Sequence, residues 1–403
     1  MNTLWLFWRC FEIVLLSGWL IFAAYFLLLT VAAIQRRPAP LGTASRFRRL
    51  GVLIPAHNEE LGVGATIESL ARQRYPQDRF EVIVIADNCR DRTTAIARAA
   101  GATVMERNDP ELRGKGHALT WAIGSLAQPD YPHDAYLIID ADSVAEPNLL
   151  EVANRLLGEG WGAIQVHNAV LNPGKTWVSA LRFASFASYS YLRPLGRARL
   201  RCTAKLQGNG MCLAANLLRS HPWRSFALAE DIDYSAELAV AGVRVAFAPD
   251  TEVRSGMPLT LHQATSQLQR WERGRWQVMR RRVPSLLEAA LRRGQLWQFE
   301  AAVDLLVPPF SFLIGVPGLL VMARLLRGDL DSVLMPLWGG VLSVFVVHLF
   351  TALRLVRAPA VVYRALLCAP VYLVWLIWIN LAILFGRGEQ EWIRTPRTAR
   401  RKE

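Results

Sequence analysis

From Ile13 to Ile34 the chain carries no Asp, Glu, Lys or Arg. A helix needs about 20 consecutive apolar residues to cross the hydrocarbon core of a bilayer, and this run is long enough to do so. A secretory signal would have a shorter apolar core and a small-residue cleavage site, whereas this run ends in Gln35-Arg36-Arg37-Pro38. Three further uncharged runs lie near the C-terminus: Leu305–Ala323, Ser332–Leu353 and Ala365–Gly386. The first holds Pro308, Pro309 and Pro317, which predicts a kinked span or a re-entrant segment.

Composition agrees with a chain partly in lipid. Of 403 residues, 52% are hydrophobic and only 20% charged, and the mean hydropathy of +0.20 excludes disorder. The five cysteines (Cys10, Cys89, Cys202, Cys212, Cys368) form no C-x-x-C pair. That excludes a sequence-readable zinc site or disulfide framework and fits a reducing compartment. The net charge is +13. Arg36, Arg37, Arg46, Arg48 and Arg49 follow the first apolar run, and Arg270, Arg273, Arg275, Arg280, Arg281 and Arg282 precede the later ones. Charge at the feet of spans reads as membrane surface and lipid contact rather than nucleic acid; a solvated basic face is the plainer alternative. The positive-inside rule places the middle of the chain in the cytosol, on an inner or plasma membrane, with the short N-terminus outside. The tail conflicts with this. Three later spans would put it outside, yet it carries Arg387, Arg394, Arg397, Arg400, Arg401 and Lys402.

The chain therefore divides into an N-terminal span (1–37), a central domain (46–282), an amphipathic linker (283–300), C-terminal spans (301–387) and a basic tail (388–403). In the central domain short Val/Ile-rich segments alternate with helical patterns. Arg49–Pro55, Phe80–Ala86, Ala102–Glu106, Ala135–Ile139 and Gly162–His167 read as strands. Leu61–Arg74, Arg92–Ala100, Gly116–Ala127 and Pro147–Leu157 read as helices. This alternation predicts an α/β domain with a mostly parallel sheet covered on both faces. Ligands of such sheets bind beyond the carboxyl ends of the strands. Three strand ends carry polar clusters: Ala56-His57-Asn58-Glu59, Asp87-Asn88-Cys89-Arg90-Asp91 and Asp140-Ala141-Asp142. A nucleotide cleft is the default, although no G-x-G-x-x-G follows the first strand and Arg113-Gly114-Lys115-Gly116 is not a P-loop.

Asp140 and Asp142, at i and i+2 past a strand, can point into one cleft. Hard oxygen ligands suit Mg²⁺ or Mn²⁺ held jointly with a diphosphate, and a turn or capping role is the alternative. Glu230-Asp231 opens a helical stretch, where carboxylates favour the helix dipole; the functional alternative is a general base. Gln267-Leu268-Gln269-Arg270-Trp271 lies in a basic, Trp-containing run that reads as an interfacial amphipathic helix.

In this order, and between these spans, the motifs resemble the membrane-embedded family 2 inverting glycosyltransferases. These include hyaluronan, chitin-oligosaccharide, poly-N-acetylglucosamine and cellulose synthases. The resemblance covers about residues 50–280 and implies a GT-A, Rossmann-like cytosolic domain flanked by transmembrane helices. It implies that Ala56, His57, Asn58 and Glu59 line the uridine pocket and that Asp87 contacts the base. Arg113 and Lys115 would lie near the nucleotide. Asp140 would face the ribose or diphosphate and Asp142 would hold the metal. Asp231 would be the catalytic base. Gln267, Arg270 and Trp271 would hold the diphosphate and close over the donor, and Gln207, Gly208, Asn209 and Gly210 would line the acceptor site. The chain departs from the family where Asn88 replaces the second Asp of a D-D pair and Ala229 the Thr of T-E-D.

These readings converge on a metal-dependent hexosyltransferase that takes a nucleotide-sugar, a UDP-sugar, and extends a polysaccharide of the envelope or exterior. The alternative is a non-processive transferase adding one sugar to a lipid acceptor; four spans are few for a polymer pore. A catalytically dead scaffold would not need Asp142, Asp231 and Arg270, and a membrane nucleotidyltransferase would not need Q-x-x-R-W. The orientation is testable: a protease site inserted within residues 102–113 should stay uncut when protease is added to intact cells. Cleavage from outside would overturn the cytosolic placement.

Overall fold

The structure, a computed structural model, describes residues 3–35, 46–126, 133–329 and 333–384. Arg36, Arg37 and the basic tail lie outside the described residues. The strands are β1 Leu50–Ala56, β2 Phe80–Asp87, β3 Thr103–Arg107, β4 Ala135–Ile138, β5 Val144–Ala145, β6 Ala163–Val170, β7 Met211–Ala214 and β8 Val245–Ser255. The helices of the first half are α1 Thr3–Ile34, α2 Val63–Ala71, α3 Thr93–Ala99, α4 Lys115–Leu126, α5 Leu149–Gly158, α6 Trp177–Phe186 and α7 Arg193–Arg199, with a π-helical turn, Ala187–Leu192, between the last two. The second half adds α8 Ala215–Ser220, α9 Glu230–Ala241, α10 Leu261–Arg293, α11 Leu296–Leu306, α12 Phe310–Arg327, α13 Leu334–Leu355, α14 Ala360–Ala365 and α15 Ala369–Leu384.

The strands form one sheet in the order β3-β2-β1-β4-β7-β6-β8-β5. β3, β2, β1 and β4 run parallel, as do β6 and β8. β1 and β4 are buried along nearly their whole length, as expected of parallel strands covered by helices on both faces. The mostly parallel sheet expected from the alternating pattern is therefore present. Its register sets the site. Ala56 of β1 pairs with Ala86 of β2, and Leu53 with Ile138 of β4, so β1, β2 and β4 end along one edge. β7 enters between β4 and β6 and is antiparallel to both; its first residue, Met211, faces Ile138, the last of β4. The segment leading into β7, Gln207–Gly210, is thereby delivered to the edge where Asp140 and Asp142 begin.

Four helices are long and apolar enough to cross a membrane: Phe7–Ile34, Phe310–Arg327, Leu334–Leu355 and the nearly continuous Ala360–Ile383. The proline-rich run expected from Leu305 onward divides. α11 ends at Leu306, Pro308 and Pro309 break the chain, and α12 begins at Phe310 with Pro317 inside it. The physical reason is Asp304, which is buried and ion-paired to Arg197 and Lys205, so this end of α11 is anchored to the sheet domain. Residues 283–300, expected as a linker, complete α10 through Pro284 and begin α11. The second arginine cluster, expected at the membrane surface, also has inner partners: Arg282 pairs with Asp233 (2.5 Å) and Glu237 (3.0 Å).

α7 crosses α1 at Gly196. A Cβ there would stand 2.4 Å from the carbonyl oxygen of Leu29, so only glycine permits the approach. Gly196→Val should force α7 off α1 and cost about 1–3 kcal/mol, as overpacking does. Gly124, exposed in α4 with nothing near its Cβ position, is the control. Gly124→Ala should be neutral or stabilise by up to about 1 kcal/mol. Thermal unfolding in detergent distinguishes them, and equal midpoints for both variants would refute the role given to the crossing.

Candidate active site

The ends of β1 and β2 are cross-braced by short polar contacts. His57 Nδ1 lies 2.7 Å from the backbone oxygen of Asp87. Asn58 takes a left-handed conformation (φ 55°). Its Oδ1 accepts from the Arg90 N–H at 2.8 Å. Glu59 N–H donates to Thr93 Oγ1 at 2.7 Å. Asp87 is buried, and Oδ1 accepts from Arg107 at 2.6 Å and from Asn88 Nδ2 at 3.0 Å. Asp87 is thus a preset anion at the mouth of a nucleotide-sized cleft.

At the end of β4, Lys115 Nζ donates to Asp140 Oδ1 (2.5 Å) and to the backbone oxygen of Gly208. Burial alone would lower the Lys115 pKa, but Asp140 and Glu230 raise it, so this ammonium stays charged. The Asp140 N–H donates to Asn209 Oδ1 at 3.0 Å. Asn209 is buried and its amide nitrogen bonds Ser255 (2.8 Å), Ser143 (3.1 Å) and Asn168 (3.3 Å). It is a hub that fixes the D-A-D turn. Gly208, with φ +76°, brings its Cα so close that a Cβ would lie 3.1 Å from Asp231 Oδ2. The glycine leaves open the space in front of that carboxylate.

Asp231 and Glu230 open α9. Asp231 Oδ1 accepts its neighbour's N–H, from Ile232, at 2.8 Å. Burial raises the pKa of both acids. In Asp231 that rise is opposed by the Ile232 N–H, Lys115 and Lys205; in Glu230 the Asp231 charge adds to it, and the pKa reaches about 7. The environments divide the pair, with Asp231 the group favoured as the anion and Glu230 the one that holds a proton near neutrality. Asp233, one turn on, is turned away and held by Arg282 and by Ser225 (3.0 Å).

α10 supplies the opposite wall. Gln267 Oε1 accepts from Arg182 Nη2 (3.0 Å), and the Arg182 guanidinium lies 5.1 Å from the centre of the Trp271 ring. Burial lowers the Arg270 pKa, while Glu230, Asp140 and Asp231 act to restore it. α10 is therefore more than an interfacial anchor.

A cavity of about 2100 Å³ joins these groups. Of the residues expected in the site, Ala56, His57, Glu59, Asp87, Arg113, Lys115, Asp140, Asp142, Gln207, Gly208, Asp231, Gln267, Arg270 and Trp271 line it. Asn58, Asn209 and Gly210 do not: Asn58 braces the loop, and Gly210 is spent on sheet hydrogen bonds to Ile138 and Val166. The amide of Gln207 is buried with no partner on either atom among the described residues, as a group awaiting a ligand would be. Sequence reasoning missed Arg182, Tyr189, Arg193, Lys205 and Asp304, which also line the cavity. Arg182 alone left a readable signal, a single charge inside the helix WVSALRFASF. No cluster of three or more His, Cys, Asp or Glu among the described residues could enclose a metal. Asp140 and Asp142 nevertheless offer two hard oxygen donors on one wall. That set fits Mg²⁺ or Mn²⁺ that keeps other positions for water and a diphosphate.

Comparisons with known proteins agree with this architecture. Residues 48–274 match the model of the glycosyltransferase like family 2. A probable glycosyltransferase of Bacillus subtilis, YdaM, is 27% identical over 57% of this chain and 56% of its own length. A beta-monoglucosyldiacylglycerol synthase of Synechocystis is 27% identical over 60% of this chain and 51% of its own length. The chain thus spans just over half the length of these two relatives. A similarly named synthase of Nostoc is 23% identical over 87% of this chain and 76% of its own length. Among solved structures, a mannosyltransferase of Pyrobaculum calidifontis in complex with GDP-Man and Mn²⁺ shares the fold. Its TM-score is 0.53, at 17% identity, over 84% of this chain and 97% of its own. With more than half of its length matched, the chain belongs to the glycosyltransferase like family 2.

Proposed function

We propose that the chain is an inverting, metal-assisted transferase that moves one sugar from a cytosolic nucleotide-sugar, a UDP-sugar, to an amphiphilic acceptor presented by the membrane. One observation carries this reading. The cavity that holds the strand-end carboxylates also reaches residues of the membrane-crossing helices: Phe26 of α1, Phe310 of α12, and Tyr372, Leu376 and Ile379 of α15. A donor at the sheet edge and an acceptor tail among the spans could occupy it together. The relatives named as synthases of a glucosylated diacylglycerol support an acceptor of that kind, and the Mn²⁺ in the Pyrobaculum fold relative is in keeping with a metal. Extension of a polysaccharide is the second reading, favoured by Trp271 on the cavity wall, where a sugar ring could stack.

In this mechanism Asp140 and Asp142 hold a divalent ion, which when bound supplies Lewis-acid stabilisation to the departing diphosphate. Lys115 and Arg270 offset the same developing charge from the protein side. Asp231 accepts the proton of the acceptor hydroxyl as the hydroxyl oxygen attacks the anomeric carbon and the bond to the diphosphate breaks. A single displacement by one base inverts the configuration. The test is to give membranes labelled UDP-sugars one at a time and size the product. One added sugar on a lipid-extractable product is expected, with none in excess chelator or from Asp142→Ala. A long polymer would select the second reading, and transfer in excess chelator would remove the metal.

The base assignment has its own test. Asp231→Asn keeps size and polarity but cannot take the proton, and should lower the transfer rate about a hundred- to ten-thousand-fold with donor affinity little changed. Glu230→Gln mimics a group already protonated near neutrality and should retain most activity. The base must be ionised, and its pKa is raised. Transfer should therefore fall with decreasing pH over a range above the ordinary Asp value of about 3.9. Near-normal transfer by Asp231→Asn, or an acid limb at or below pH 4, would overturn the assignment.

A further inference from the structure

Arg182 lies on α6 with 3% of its surface exposed. It makes no ion pair with any carboxylate of the described residues. Its guanidinium donates to Gln267 Oε1 (3.0 Å), faces the rings of Trp271 (5.1 Å) and Phe186 (5.6 Å), and lies against Tyr372 of α15. Its Nε is buried with no partner. A charge withdrawn from water is unfavourable unless compensated, and aromatic faces offset only part of that cost. The other buried arginines of the cavity region are answered: Arg193 and Arg197 by Asp304, and Arg197 also by Glu300. Arg182 faces the cavity and is not, so its counter-ion is supplied by what the cavity takes up.

We propose that Arg182 is the binding site for a phosphate group on the lipid acceptor. This deepens the reading of the cavity as the route of a membrane-borne acceptor and rests on it. The ligand chemistry is a phosphate oxyanion, to which the planar guanidinium can offer paired N–H donors. Two sources exist, the diphosphate of the donor and a phosphate on the acceptor. The walls favour the second. The donor edge already has its own cations, Lys115 and Arg270, facing Asp140, Glu230 and Asp231. Arg182 instead stands beside the α15 residues of the cavity, Tyr372, Leu376 and Ile379, which would receive an acyl or prenyl chain. Its bond to Gln267 and its place over Trp271 couple an occupied acceptor site to the α10 motif.

The test uses the full chain in neutral detergent, with dodecyl phosphate and dodecanol as probes that differ only in charge. The wild type should bind dodecyl phosphate at least about tenfold more tightly than dodecanol, since hydrogen bonds to a charged group are the strong ones. Arg182→Gln should abolish that preference and leave UDP affinity in Mn²⁺ unchanged within about twofold. Without ligand its unfolding midpoint should be no lower than wild type, because an uncompensated charge has gone. Should Arg182→Gln fail to fold, Arg182→Lys decides: it keeps the charge, loses the fork, and should weaken dodecyl phosphate binding severalfold. Asp231→Asn should bind dodecyl phosphate normally even where transfer is lost, which separates this proposal from the base assignment. Equal binding of the two probes by the wild type, or a preference that survives Arg182→Gln, would overturn the site. A parallel loss of UDP binding would assign the anion to the donor.

Discussion

The carboxylate of Asp304 ties the sheet domain to the membrane-crossing helices. It is buried at the end of α11, two residues before the chain reaches Leu306, and three cations from the domain converge on it: Arg193, Arg197 (3.0 Å) and Lys205 (3.1 Å). Burial acts to raise its pKa, but Arg197, Lys205 and Arg193 overcome this and hold the carboxyl well below the usual range. Glu300, one turn earlier, takes the remaining valence of Arg197 (2.7 Å) and a hydrogen bond from Tyr25 of α1 (2.6 Å). Losing one member of such a cluster leaves the others buried and unpaired, at a cost of about 3–5 kcal/mol. The cluster therefore fixes where α11 stops, where α1 crosses α7, and how wide the cavity stands between them.

A second polar thread runs deeper. His348 of α13 lies 2.8 Å from Thr30 Oγ1 of α1 and 2.9 Å from Ser188 Oγ of the π-helical turn. With both ring nitrogens partnered, the imidazole pins two spans to the turn that carries Tyr189 and Ser188 to the cavity. π-Helical turns widen a helix by one residue and often mark functional sites. Here the extra residue turns α6 into α7 while keeping Arg182 and Arg193, on either side of it, on the cavity wall.

Strand identity was legible because β1, β2 and β4 are Val/Ile/Leu runs buried on both faces, and their polar ends announced the cleft. β7 was not. Met-Cys-Leu-Ala is too short to show a period, and its antiparallel placement depends on partners far along the chain. Asn209 shows the same limit within the site. A polar residue between two glycines in Gln207-Gly208-Asn209-Gly210 reads equally as a wall of the cavity or as a brace, and only the positions of Ser143, Asn168 and Ser255 make it a brace. The apolar run from Leu305 was readable as membrane-like, but its boundary was not, because the charges that hold Asp304 back come from Arg193, Arg197 and Lys205, a hundred residues earlier in the sequence.

The same reasoning explains how the cavity sorts its ligands. At the sheet edge positive and negative groups alternate closely: Lys115 against Asp140, and Arg270 under the influence of Glu230, Asp140 and Asp231. Such a region is near balance before anything binds, and a diphosphate that arrives with a divalent ion leaves it near balance. Toward the membrane the balance differs. The Asp304 cluster has three cations to two carboxylates, and Arg182 has none of its own, so the inner arm is electropositive against apolar walls. Low dielectric strengthens that field. A neutral acceptor would leave it unanswered, whereas a headgroup bearing one negative charge would complete it and place its hydroxyl toward Asp231.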